Sequence, residues 1–172
     1  MEIRNLAHLM KAQTIEIKVE VFPDRDALPG VQKQLLDMAD EASGRAYAPY
    51  SRFHVGAAVL LENGETITGS NQENGAYPSG LCAERVALFA AKARFPSVPI
   101  VALAIFADGK DMPVSHPVSP CGGCRQVMSE YELNQPGPYP VVFQGGKGEV
   151  YRTGSAAALL PLQFRGNFLK KD

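Results

Sequence analysis

Val55-Gly56-Ala57-Ala58-Val59-Leu60-Leu61, then Glu62-Asn63-Gly64-Glu65, then Thr66-Ile67-Thr68-Gly69-Ser70, is the stretch that decides the fold. Its first seven residues are an apolar run of strand length. Asn63-Gly64 is a strong hairpin turn, so residues 65–70 are expected to return antiparallel to 55–61. Working towards the N-terminus, residues 31–47 carry Val31, Leu35, Leu36, Met38, Ala39 and Ala42 at helical spacing, and Pro49 ends that helix or follows its end. Pro23 to Gly30 reads as a loop, and Thr14 to Val21 alternates apolar with charged, the pattern of a half-buried edge strand. Working towards the C-terminus, residues 84–95 read as a helix with Val86, Leu88, Phe89 and Ala90 apolar. Residues 100–107 form a nearly uninterrupted apolar run, typical of a central strand buried on both faces. A helix from near Cys121 to about Leu133, strands over 140–144 and 149–152, and a short terminal helix over 155–160 complete the order. Strands alternating with helices predict an α/β chain, a three-layer α/β/α sandwich. The hairpin makes its sheet of about five strands mixed rather than parallel.

A length of 172 residues is that of a single domain, here spanning 1–172, with residues 1–13 as a loosely held tail. Hydrophobic residues are 45% and the net charge is −1, so there is no general field to gather a polyanion. A neutral small molecule suits this balance better than nucleic acid. The N-terminal residues, Met1 to Lys11, have no unbroken apolar core and no cleavage site, and no segment is long and apolar enough to span a bilayer. The expectation is a cytoplasmic protein with neither membrane nor nucleic acid as partner. The three cysteines, spaced as C…CxxC, read as metal ligands in a reducing compartment rather than as disulfides.

Those cysteines are Cys82, in Cys82-Ala83-Glu84, and Cys121 and Cys124, in Pro120-Cys121-Gly122-Gly123-Cys124. Three thiolates can hold a zinc ion and leave its fourth position to water, and a glutamate that reaches the water can move its protons. The spacing matches the all-cysteine form of the zinc nucleobase deaminase signature, H-x-E…P-C-x-x-C with Cys for His. Residues i and i+2 of a helix point to nearly opposite sides. Cys82 must therefore precede its helix while Glu84 lies in the first turn. Cys121 and Cys124 share a face if they begin the next helix. Both groups then sit at helix N-termini, where the dipole favours thiolates. Three thiolates overcompensate Zn²⁺, so Arg85 or Arg125, with Arg85 favoured, is expected to offset the charge at the sulfurs. A purely structural Cys3His site completed by His116 is the bland alternative.

The likeness extends beyond the metal motif. Ala46-Tyr47-Ala48-Pro49-Tyr50-Ser51-Arg52-Phe53-His54-Val55-Gly56-Ala57-Ala58 resembles the AYxPYSxFxVGAA segment of the cytidine deaminases, and Asn71-Gln72-Glu73-Asn74 is similar to their N-x-E-N box. Tyr77 to Arg85, Ser119 to Gln126, and Leu159-Leu160-Pro161-Leu162-Gln163-Phe164 continue the resemblance in order, over about residues 31–165. His54 stands where proline is common, Gly75 where alanine is usual, and the N-terminal extension is longer than a compact member needs.

The resemblance implies a hydrolase acting on cyclic amidines in pyrimidine salvage. It would deaminate cytidine and deoxycytidine with one Zn²⁺ per subunit bound by Cys82, Cys121 and Cys124. It further implies that Glu84 shuttles protons, that the Ala83 N–H binds the base carbonyl, and that Asn71 and Glu73 hold the ribose. Phe53 would pack on the pyrimidine. Phe164 would enter a neighbouring subunit's site in a homotetramer, with a dimer as the smaller alternative. Read without the family, Asn71 and Glu73 are a polar turn after the hairpin, and Phe53 and Phe164 are packing residues. Deamination of another cytosine compound, such as blasticidin S, and a non-catalytic zinc module are the rival functions.

Overall fold

β2 (Phe53–Leu61) and β3 (Thr66–Ser70) form the predicted hairpin, closed by Gly64 in the left-handed region at φ 84°. In the computed structural model, which describes residues 11–109, 111 and 113–169, this hairpin joins a six-stranded mixed sheet. The other strands are β1 (Val19–Phe22), β4 (Ile100–Gly109), β5 (Val141–Gly145) and β6 (Val150–Thr153), in the order β1-β6-β5-β4-β2-β3. Only β4 and β5 run parallel.

The helices are α1 (Gly30–Ser43), α2 (Ala83–Arg94) and α3 (Gly122–Leu133). Period-two alternation in the strands splits the core. Ala57, Val59, Leu103, Ile105, Val141 and Phe143 face α2 and α3, whereas Ala58, Ala102, Ala104, Phe106 and Val142 face Leu35, Leu36 and Ala39 of α1. The α/β/α layering is as the sequence predicts, with six strands in place of about five.

Three elements are shorter than expected. The first helix stops at Ser43 rather than 47 because Gly44, Arg45 and Ala46 turn back on it and the Tyr47 N–H is taken by the Asn71 carbonyl, 3.0 Å away. The edge strand covers 19–22 rather than 14–21, since its four-residue partner β6 ends at Thr153, opposite Val19. The terminal helix is a single 3-10 turn, Ala157–Leu159, anchored by the buried Glu132 carboxylate, which accepts from the N–H groups of Ala156 and Ala157. The loose tail expected over 1–13 lies outside the described residues but for 11–13, which are exposed and without regular structure.

Two glycines set how closely the helices approach the hairpin. A Cβ on Gly56 would lie 1.9 Å from the Ala39 carbonyl oxygen of α1, and one on Gly69 would lie 2.6 Å from the Ala87 nitrogen and 2.9 Å from the Ala83 oxygen of α2. In each case the obstacle is backbone, which cannot rotate away. Gly69→Ala is expected to destabilise the fold by roughly 1–3 kcal/mol through overpacking, read from chemical denaturation. An unchanged midpoint would show that α2 can retreat at no cost.

Candidate functional site

Three loops meet beside the start of α2. Gln72 exchanges backbone hydrogen bonds of 2.9 Å with Leu81, while Tyr47 donates to Asn71 and accepts from Glu73 at 2.8 Å. This stitching lays the 47–53 loop, the 71–74 segment and the approach to Cys82 side by side. Cys82 is the N-cap of α2 in extended conformation, with Glu84 in the first turn; Cys121 is the N-cap of α3, also extended, with Cys124 one turn in. These are the placements the i, i+2 argument requires.

The three sulfurs lie within 4.8 Å of one another, with Cys82 and Cys121 at 3.8 Å and Cys121 and Cys124 at 3.5 Å. Tetrahedral zinc with Zn–S bonds of about 2.3 Å needs sulfurs about 3.8 Å apart, so this donor set fits the ion. His116 is exposed and is not part of the cluster. The fourth ligand of a Cys3His site is therefore not where that alternative needs it.

The electrostatics are those of a thiolate site. The Cys82 thiol is held well below the usual range, first by a hydrogen bond from Cys124 and then by Arg85 and Cys121, against the effect of burial. Cys124, fully buried, is pushed up by that same hydrogen bond, by burial and by the Glu84 charge. Arg85 places Nη2 3.9 Å from the Cys82 sulfur. Burial opposes its charge, yet Cys82 holds the guanidinium above its ordinary range. Arg125 is occupied elsewhere, with Nε on the Pro120 carbonyl at 2.8 Å and Nη1 on the Leu159 carbonyl at 3.0 Å. Its position straps the C-terminal segment to the start of α3.

A cavity of about 720 Å³ opens over the sulfurs, lined by Cys82, Cys121, Glu84, Arg85, Phe53, Asn71 and Glu73 among others. Glu84 is only 4% exposed, and burial raises its carboxyl above the usual range, with the Cys82 charge adding to the effect. Ala83 is buried in the core, so what it has to offer is the N–H that heads α2.

Asn71 and Glu73 do something the spacing did not announce. The Asn71 amide clamps β2, accepting from Val55 N–H at 2.8 Å and donating to the Phe53 carbonyl at 2.9 Å. Glu73 Oε2 accepts from the N–H groups of Tyr50 and Ser51 at 2.9 and 3.2 Å. Hydrogen bonding from the Ser51 side chain, then from the Tyr50 backbone, lowers the pKa of this half-buried residue's carboxylate. The hairpin register could have revealed the Asn71 clamp, because Ser70 opposite Gly56 puts the next residue beside Val55. Tyr50, Tyr77, Val118 and Ser119 also line the cavity without having been singled out. Tyr50, Tyr77 and Ser119 lie within the segments of family resemblance, which was their available signal, and Val118 lies just outside them. Phe164 is exposed and does not line its own chain's cavity; its carbonyl accepts from Gln126 Nε2 at 2.9 Å.

Residues 30–135 match the family model described as the cytidine and deoxycytidylate deaminase zinc-binding region. A cytidine deaminase of Sporosarcina psychrophila is 43% identical over 141 residues, 81% of this chain and 93% of that protein. One of Halalkalibacterium halodurans is 48% identical over 99 residues, 58% of this chain and 70% of that one. The crystal structure of cytidine deaminase from Burkholderia pseudomallei superposes with a TM-score of 0.68 at 39% identity, covering 80% of this chain and 100% of that chain. With three sulfurs spaced for zinc, a buried glutamate beside them and these relatives, the chain belongs to the cytidine and deoxycytidylate deaminase zinc-binding family.

Proposed function

We propose that this protein hydrolytically deaminates cytidine and deoxycytidine to uridine and deoxyuridine, releasing ammonia. The observation that carries the reading is the buried Glu84 lining one cavity with Cys82 and Cys121, whose sulfurs converge with that of the buried Cys124. Cys82, Cys121 and Cys124 would hold zinc, which when bound supplies the Lewis acidity that makes water a nucleophile near neutral pH. Glu84 takes a proton from the attacking water and delivers it to N3 of the base, making C4 electrophilic. It then helps protonate the amine as the C4–N bond breaks and a C4–O bond replaces it. Arg85 offsets the thiolate charge, Phe53 packs on the pyrimidine, and the Ala83 N–H receives the base carbonyl.

Asn71 and Glu73 face the ribose. Glu73 keeps one carboxylate oxygen beyond its bonds to Tyr50 and Ser51, and a charge there repels a phosphate, so nucleosides are favoured over nucleotides. Because the Asn71 amide also clamps β2, Asn71→Ala should destabilise the protein by about 1–3 kcal/mol as well as raise KM, since it strands the Val55 N–H and the Phe53 carbonyl. Denaturation alongside steady-state kinetics checks both effects.

The reading extends to one domain over 1–172, a cytoplasmic role in pyrimidine salvage, and a homotetramer in which Phe164 reaches a neighbouring site. The exposed Phe164 ring supports this last point. Among the described residues, no helix is long and apolar enough to cross a membrane. Zinc-loaded protein mixed with cytidine should lose the substrate's ultraviolet absorbance and release ammonia in equal measure. Inertness towards cytidine and deoxycytidine alike would refute the proposal.

A further inference from the structure

β1 lies at one end of the sheet, and residues 11–18 lead into it without regular structure of their own. Only Val19–Phe22 pair with β6. Among the described residues, the backbone of residues 11–18 makes no backbone hydrogen bond, and all eight are exposed. Residues 14–21 nonetheless keep a strict alternation, Thr14-Ile15-Glu16-Ile17-Lys18-Val19-Glu20-Val21, rich in β-branched residues.

Within the paired part, Glu20 and Phe22 lie on the α1 side, where Arg152 bonds Glu20 at 2.6 Å and stacks over the Phe22 ring. Val19 and Val21 lie on the other face, where Val21 is opposite Tyr151, and they remain 39% and 53% exposed. Ile15 and Ile17, at 47% and 41%, continue the same apolar register. A sheet edge continued by an exposed, alternating segment with an apolar row and open backbone groups is a template for another strand.

We infer that residues 14–20 are the docking edge for a second copy of this chain, paired antiparallel about a two-fold axis at Ile17. The argument is one of charge. In that register Ile17 faces its own copy, Ile15 faces Val19, and Glu16 faces Lys18 twice over by symmetry. One face of the joint is therefore wholly apolar and the other holds two opposite-charge pairs. A slip of one residue would set the apolar row against the charged one. Among the described residues, neither Glu16 nor Lys18 has a salt-bridge partner within its own chain. The occupant that matches this pattern is the pattern itself, reversed. The two sheets then run on as one, and the open edge is closed. This joint uses the end of the sheet opposite β3, and so is separate from any subunit contact at the cavity.

Charge reversal tests the pairing in the full-length, zinc-loaded protein. Sedimentation equilibrium should give Glu16→Lys and Lys18→Glu each half the wild-type mass, because each now sets like charges opposite one another. An equimolar mixture of the two variants should recover the wild-type mass, since each strand then meets the opposite sign. Ile17→Cys should form a disulfide-linked dimer on mild oxidation, reversible by thiols, whereas Thr14→Cys should not. Far-ultraviolet circular dichroism confirms that the variants are folded. A mass unchanged in the single variants, a mixture that stays at the variant mass, or Ile17→Cys that fails to cross-link would each overturn the proposal.

Discussion

Glu84→Gln keeps its zinc and loses cytidine turnover by roughly 10²–10⁴-fold, the range lost when a positioned acid–base group is removed. Glutamine has the same shape and preserves the packing at a position only 4% exposed, but it can neither accept nor deliver a proton. Among the described residues lining the cavity, the other carboxylate is Glu73, whose Oε2 is held by the N–H groups of Tyr50 and Ser51. Burial that lifts the Glu84 carboxyl above its ordinary range prepares it to hold a proton between steps. Metal analysis and single-turnover kinetics on the same preparation separate loss of chemistry from loss of the ion. Turnover near wild type in a zinc-loaded Glu84→Gln protein would remove Glu84 from the mechanism.

Cys124→Ser should abolish both zinc content and activity. Cys124 is fully buried, and its sulfur lies within reach of the other two, so a serine oxygen in its place is a shorter and weaker donor that water cannot assist. The contrast with the wild-type protein makes the test decisive. Wild-type protein stripped by a chelator should lose activity and regain it on adding zinc, whereas Cys124→Ser should stay inactive at any zinc concentration. Because Cys82 and Cys121 head different helices, losing the ion should also lower the melting temperature. Full zinc occupancy in Cys124→Ser would place the metal elsewhere.

Much of this architecture is legible before any coordinates. Apolar residues at helical spacing mark the first helices, while the apolar runs over 55–61 and 100–107 and the Asn63-Gly64 turn mark the central strand and the hairpin. The bond geometry of a helix forces Cys82 outside α2 and Glu84 inside it, and that is the arrangement found. What the pattern misses is tertiary. The early end of α1 depends on Asn71 capturing Tyr47, and the brevity of β1 depends on where β6 stops. Local propensity records neither. The same holds for Asn71 and Arg125, whose polar side chains look free in sequence and are engaged with distant backbone in the fold.

Gly56 and Gly69 lie on opposite faces of the hairpin, one beneath α1 and the other beneath α2. Together they act as a vernier. If β3 slid by one residue along β2, Gly69 would turn away from α2, and the side chain of Thr68 or Ser70 would be driven into helix backbone. The misaligned hairpin is thus barred by volume and not merely disfavoured by energy. The 71–74 segment follows β3 directly, so the same two missing side chains calibrate the height at which Asn71 and Glu73 reach the cavity.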